Sequence, residues 1–537
     1  MKKPVFLFLV LLQFAAFSQE DAWVYFNAKP NAQAFFDNPL YELKQRSLDR
    51  RMLQNIPLDI KDAPIHQPFV DQISAASGIA VLAKSKWLNC LHVRGTFEDI
   101  NALLGFSFVD RVRFADNALN LRTSTPKRFQ PVNKQMETET TFNYGNSFNQ
   151  IHMLNGDLLH QQNFTATGKV IAVLDAGFPN VNTLLPFQRL RDNNQILGGY
   201  DYVSKDSLVY TGDTHGTMVL STMGGFKDGQ LVGTAPDAKY YLFITEDVAS
   251  ENPVEESNWV EAAESADRVG ADVITSSLGY FSFDNPNYGH AYSDMTGNAA
   301  FGSQGANIAF SRGMVVVASA GNEGATTEPH VGVPAEATNV LAIGAVKANR
   351  LYASFSSVGP TFDGRIKPDI MAQGQASVLA NPSSGAITTA NGTSFSGPIM
   401  AGMIATFWGA VPGLTNQQVV DFVKQSSDKF ANPNMQYGYG IPDFQLALNN
   451  ALLLTESFSN SKVVVYPNPA KESVSVAFLN TFQNAEITLY NSLGQNILNQ
   501  DLSNDNTKVS LEKLSSGVYW YKVNSNNFSQ TGKIIKQ

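Results

Sequence analysis

From residue 170 to residue 425 the chain alternates short, mostly apolar runs with longer stretches of helical periodicity. The runs lie at 170–174, 240–244, 273–277, 314–318 and 340–346, and β-branched residues are prominent in them. A strand covered on both faces reads this way, because neither face needs polar residues. Between the runs, 255–269, 298–312, 394–410 and 416–425 read as helices. This alternation predicts an α/β fold, a parallel sheet with helices on both faces.

In such a sheet the reactive groups gather at the carboxyl ends of the strands. Asp175 directly follows the run 170–174, where an Asp is more often a turn or a cap. His215, in Thr214-His215-Gly216-Thr217, opens a stretch of small residues; the chain has 7 His, and one at a helix start is more often a surface residue. Asn322 follows the run 314–318 through Ser319-Ala320-Gly321, a place where Asn also serves as a turn residue. Ser394 lies in Asn391-Gly392-Thr393-Ser394-Phe395-Ser396-Gly397-Pro398, just before a helix of small and apolar residues. That setting suits a nucleophile. Glycine permits the tight turn, and the helix start leaves backbone N–H groups free to face an anion.

Each residue alone has an ordinary structural reading; the order Asp, His, Asn, Ser does not. The chain resembles the subtilisin-type serine peptidases, which carry their triad in the order Asp, His, Ser. Three blocks carry the resemblance most closely: Val173-Leu174-Asp175-Ala176-Gly177, His215-Gly216-Thr217 and Gly392-Thr393-Ser394-Phe395-Ser396-Gly397-Pro398. Weaker blocks lie at 233–238, 277–279, 320–324 and 355–359. One small departure is Ala176, where many relatives have Ser or Thr before the glycine.

The resemblance implies that Asp175, His215 and Ser394 are catalytic, and that Asn322 and the Ser394 N–H hold the oxyanion. It implies that substrate lies extended along Ser277, Leu278 and Gly279. Ser319, Ala320 and Gly321 form the facing wall, and Gly332 lines the same pocket. Small residues there favour a bulky apolar side chain before the scissile bond, with Glu323 at the rim for a basic group. Catalysis of this kind requires no cofactor. Relatives often bind structural calcium, but Arg191-Asp192-Asn193-Asn194 offers no ordered ligand series, so calcium is unassigned. A pseudo-enzyme on this fold would usually lack a triad member or the Asn, and all four are present.

Composition sets the outer bounds. A chain of 537 residues, 43% hydrophobic and 16% charged, makes several globular domains with large cores. Its net charge of -9 argues against nucleic acid as a partner. Met1-Lys2-Lys3, the apolar residues 4–17 and small residues ending at Ser18 read as a signal peptide, 1–18, with an apolar core too short to span a membrane. The single cysteine, Cys90, cannot form an internal disulfide, and no His motif accompanies it.

Residues 19–140 hold a small α+β unit and a linker, with a charged helical stretch at 41–51, strands at 79–82, 91–94 and 108–113, and a helix at 97–104. Preceding a subtilisin-like domain, this unit resembles that family's propeptide, a chaperone and inhibitor. Processing is expected in or just after the polar segment 121–141. The catalytic domain is placed at 141–456. From 461 to 537 short strands at 463–466, 473–478, 486–490 and 518–523 predict a small β-sandwich. Tyr466-Pro467-Asn468-Pro469, Leu489-Tyr490-Asn491-Ser492-Leu493-Gly494 and the closing Gly532-Lys533-Ile534-Ile535-Lys536 resemble a type IX secretion sorting domain. The expected whole is a secreted or surface-attached serine endopeptidase of a Gram-negative bacterium, made as a zymogen. Its partners would be peptide substrates, its own propeptide and the type IX machinery.

Overall fold

The computed structural model describes residues 19–120, 142–459 and 463–537, apart from 467–469, 479–484, 492–493, 504–506 and 526–527. The expected signal peptide and linker lie outside the described residues. The first unit opens with Gln19–Phe26 (β1), which no sequence pattern announced. It is an inner strand of a four-stranded antiparallel sheet in the order Ala80–Ser85 (β2), Cys90–Thr96 (β3), β1, Val109–Phe114 (β4). Ala22, Val24 and Phe26 face one core with Leu91, Val93 and Ile100. Trp23 and Tyr25 face another, shared with the α/β domain that follows. Burial on both faces explains why β1 shows no polar alternation.

The charged stretch 41–51 is only partly helical. Pro39–Tyr41 is a short 3-10 turn, and the helix Gln45–Leu53 (α1) starts later. Lys44 is held extended because its N–H donates to Arg268 O of the α/β domain at 2.8 Å. Helices Gln67–Ser74 (α2) and Phe97–Ala102 (α3) cover the outer face of the sheet, with Ile73 and Ile100 buried in its core.

The large sheet comprises Val170–Asp175 (β5), Ile196–Asp201 (β6), Lys239–Ile244 (β7), Val273–Ser276 (β8), Val315–Ser319 (β9), Leu341–Val346 (β10) and Ile370–Gln373 (β11). Its order is β11-β10-β9-β8-β5-β7-β6, and every pair is parallel. The five inner strands are the five apolar runs read from the sequence. Val170, Ala172, Leu174, Ile274, Val316 and Ala318 point to one face, against Val254–Val269 (α5) and Phe301–Ser311 (α6). On the other face lie His215–Gly224 (α4) and Thr393–Ala410 (α7). Helix α7 is apolar all round because it is buried all round. Asn416–Gln425 (α8) follows, with Thr415 and Gln418 forming a capping box.

The chain divides after Asn450 into two units. The second holds two antiparallel sheets. Val463–Tyr466, Ser473–Phe478 and Lys508–Ser510 form one; Asn496–Leu502, Ala485–Tyr490, Gly517–Ser525 and Phe528–Lys536 form the other. Val465, Val474, Val476, Ile487, Leu489, Val523 and Ile534 from both sheets share one core, which makes a β-sandwich.

Candidate active site

Strand β5 ends on Asp175, which is fully buried. Its Oδ1 accepts from the Ala176 N–H at 2.8 Å and pairs with His215 Nδ1 at 2.7 Å. His215 is the first residue of α4, fixed there by its own N–H, which donates to Asp213 Oδ1 at 2.8 Å. The next residue must be glycine: a Cβ at Gly216 would lie 2.4 Å from Gly177 O and 2.9 Å from Asp175 Cβ. A proton held on Nδ1 toward Asp175 leaves Nε2 as the free, basic nitrogen. The Asp175 carboxylate raises the His215 pKa above its ordinary value, outweighing the opposing effect of burial.

Ser394 is the second residue of α7, entered through Gly392 at φ +147°. It is joined to the Asp–His pair by position and not by a hydrogen bond; the ring of the next residue, Phe395, lies 6.1 Å from the His215 ring, centroid to centroid. The turn carrying Ser394 is pinned from two strand ends. Ser277 Oγ donates to Ser394 O at 3.0 Å, and Ser319 Oγ donates to Thr393 O at 2.7 Å.

Asn322 is exposed, and its orientation is set by Thr393. The Thr393 N–H donates to Asn322 Oδ1 at 2.9 Å, and Thr393 Oγ1 lies 3.1 Å from the same oxygen. With the oxygen occupied by donors, the amide NH2 is left facing outward. Thr393 is a positioning residue that sequence reading passed over, although it stands in the Gly392-Thr393-Ser394 block.

A cleft of about 480 Å³ opens beside these groups, lined by Ser394, Asn322, Ser277, Leu278, Gly279, Ser319, Ala320, Gly321 and Gly332 among others. All seven residues read from the sequence as substrate contacts are thus gathered on it. Glu323, expected at the rim, lines it too, while Tyr280, Phe281, Val333, Glu251, Glu328 and His330 are among the lining residues that were not foreseen. A strand bridge between Tyr280 and Val333 ties the lining segment that holds Ser277, Leu278 and Gly279 to the one that holds Gly332. Tyr280 Oη donates to Glu246 Oε1 at 2.6 Å. Burial pushes the Glu246 carboxyl up to about 7, despite this bond and one from Thr245. Glu246 lies two residues past β7 and supports the cleft through Tyr280.

Among the described residues no group of three or more His, Cys, Asp or Glu side chains is placed to hold a metal ion. In the stretch 191–194, which offered no calcium ligand series, Arg191 and Asp192 close the short helix Gln188–Asp192, and the Arg191 guanidinium donates to the Val181 and Leu184 carbonyls, each at 2.9 Å.

A serine at a helix start, an imidazole bonded to a buried carboxylate and an outward amide, all at the carboxyl end of a parallel sheet, is the arrangement that serine hydrolases use. Residues 166–440 match the subtilase family, and the chain belongs to it. Residues 21–132 match the Bacteroidota propeptide domain of peptidase S8, and residues 464–537 match the secretion system C-terminal sorting domain. Subtilisin DY of Bacillus licheniformis is 29% identical over 299 residues, covering 55% of this chain and 97% of that protein. Subtilisin NAT of Bacillus subtilis subsp. natto is 30% identical over 301 residues, covering 55% of this chain and 70% of that one. The protein is therefore a serine endopeptidase of the subtilisin type, with a propeptide ahead of the catalytic domain and a type IX sorting tail behind it.

Proposed function

We propose that Ser394 is the nucleophile, His215 the general base and acid, Asp175 the group that orients and stabilises the imidazole, and Asn322 an oxyanion donor. The observation that carries this reading is the hydrogen bond from His215 Nδ1 to the buried Asp175 Oδ1, at 2.7 Å, beside the helix start that holds Ser394. Ser394 Oγ adds to the scissile carbonyl carbon while its proton passes to His215 Nε2. Asp175 stabilises the imidazolium that results. The carbonyl oxygen, now negative, takes hydrogen bonds from the Asn322 amide and the Ser394 N–H. The His215 proton then goes to the leaving amine, and water repeats the cycle on the acyl-enzyme. The chain's own groups handle every proton and charge, so the chemistry draws on no cofactor.

Substrate would lie extended along Ser277, Leu278 and Gly279. The walls at Gly279, Ala320 and Gly332 leave room for a bulky apolar side chain, with Glu323 at the rim. The chain would cross the inner membrane by its signal peptide. Its sorting tail would then carry it to the medium or the cell surface, with the propeptide inhibiting until it is cut away.

The test is a serine-directed phosphonate. It should add once, at Ser394, by intact mass and peptide mapping, and stop casein hydrolysis. Folded Ser394→Ala protein should lose both labelling and hydrolysis. Casein cleavage by that variant at the parent rate would refute the assignment.

A further inference from the structure

Residues 29–62 lie between β1 and β2 of the propeptide and take no part in its sheet. They are tied to the rest of the propeptide by Lys29, whose Nζ donates to the Ala63 and Lys86 carbonyls. The arginines of α1 are turned toward the catalytic domain instead. Arg46 donates to Gly270 O at 2.8 Å and Gly168 O at 2.9 Å, and pairs with Asp272. Arg50 donates to Arg312 O at 3.1 Å and to Ala271 O, and pairs with Asp267 Oδ1 at 2.5 Å. Arg51 takes the other oxygen, Asp267 Oδ2, at 2.6 Å, and holds Asp62 Oδ2 at 2.8 Å. Asp267 is fully buried, and the side chains of Arg50 and Arg51 are 4% and 2% exposed.

The place of these contacts matters as much as their number. Gly168, Ala271, Asp272 and Arg312 precede β5, β8 and β9, at the amino ends of the strands. Asp175, Ser277 and Ser319 lie at the carboxyl ends. The two edges are roughly 20 Å apart, the length of a six-residue strand. Apart from Asp62 and Ser47, every acceptor reached by these arginines belongs to the catalytic domain, so the arginine face of α1 is built for that surface, while Leu48 on the same helix packs on the propeptide's small cluster of Ala32, Phe35, Leu43 and Ala63. An ion pair buried this fully resists loss of one partner, because the charge left behind is unpaired and desolvated.

We propose that residues 29–62 form a clasp, distinct from the sheet interface, that retains the cleaved propeptide by gripping the edge of the catalytic sheet opposite the active site. A cut in 121–141 severs the connecting segment but leaves the clasp closed. Release then requires the Arg50 and Arg51 bonds to Asp267 to open. This inference rests on the reading that the propeptide is cut and inhibits, and its test separates the two.

In the full-length Ser394→Ala chain, amide hydrogen exchange followed by mass spectrometry should show α1 protected. Asp267→Asn, or Arg50→Gln with Arg51→Gln, should speed exchange in 44–62 at least tenfold and leave β1, β3 and β4 unchanged. In the chain with Ser394 intact, the cleaved propeptide should co-elute with the catalytic domain on size exclusion. Asp267→Asn should shorten the interval between cleavage and peptidase activity at least tenfold, with kcat of the fully matured enzyme unchanged. Combining the variants on both sides should shorten it no further. Arg46→Gln, at a side chain 42% exposed, is the mild substitution for use if the buried ones do not fold, and should shorten the interval severalfold. Unchanged exchange and unchanged retention in folded variants would overturn the clasp, as would a parent propeptide that leaves at once on cleavage. A parent chain that neither cleaves itself nor hydrolyses peptides would refute the catalytic reading, while the exchange experiment still decides the clasp.

Discussion

Replacing Asn322 with alanine removes two things of unequal weight. The first is the acceptor that holds the Thr393 N–H at 2.9 Å. Asn322 is exposed, so water can replace that acceptor, and the loss to stability is about 1 kcal/mol or less. The second is the outward NH2. In the proposed mechanism it bonds an oxyanion that exists only after Ser394 has attacked, and it needs no reorientation because Thr393 already fixes the amide. Removing one such donor from a subtilisin raises the barrier by about 2.7–4 kcal/mol, which is about 10²–10³ in kcat. The Ser394 N–H remains, so catalysis is weakened and not abolished. KM should stay within about twofold, because the ground-state carbonyl does not use the lost donor. Asn322→Asp sharpens the test. It keeps an oxygen for Thr393 but sets a negative charge where the oxyanion forms, so kcat should fall below that of the alanine variant. The assay is steady-state hydrolysis of a chromogenic peptide by matured enzyme, with circular dichroism to confirm folding. A raised KM with unchanged kcat, or an aspartate variant faster than the alanine one, would show that Asn322 is a binding or turn residue.

Asp175 raises the His215 pKa, so the acid limb of kcat/KM, which reports the neutral imidazole, should lie above the ordinary value of about 6.5. Asp175→Asn should move that limb down in pH and lower kcat by about 10⁴-fold; a limb that stays in place would refute the pairing. His160 is buried between the Tyr144 hydroxyl, 2.9 Å away, and Thr234 O, at 3.2 Å, and burial pushes its pKa down to about 4. Its folded pKa lies below the unfolded one, so the unfolded chain binds the extra proton between about pH 6.5 and 4 and stability falls across that window as pH falls. The fall should be about 3 kcal/mol in urea titrations and should shrink in His160→Gln; an equally steep fall in that variant would assign it to other groups. A chain ending at Leu454 should mature and cleave peptides in vitro yet collect in the periplasm of its host. Its arrival in the medium, on cell fractionation, would refute the sorting role of the tail.

The sequence by itself determined the inner strands and the residues proposed for the chemistry. The inner strands β5, β7, β8, β9 and β10 are covered on both faces, so their composition is largely apolar and can be read without knowing their neighbours. Asp175, His215, Asn322 and Ser394 sit in local blocks whose glycines and helix starts are visible within a few residues. The edge strands escaped: β6 is half exposed and carries Gly198 and Gly199, and β11 is only four residues long. Strand β1 escaped because its apolar run follows closely on the stretch read as a signal peptide and shows no period of its own. Tertiary structure alone decided which charges are buried. The arginines of α1 look in sequence like the solvated face of a surface helix. Their partners Asp267 and Asp272 stand 216 to 226 residues away, and nothing in the pattern of either segment names the other. A hydrophobic period records that a face is covered, because burial selects apolar residues at every turn. A charge records no partner, because the same arginine serves equally in water and in a buried pair, and only the fold brings the carboxylate to it.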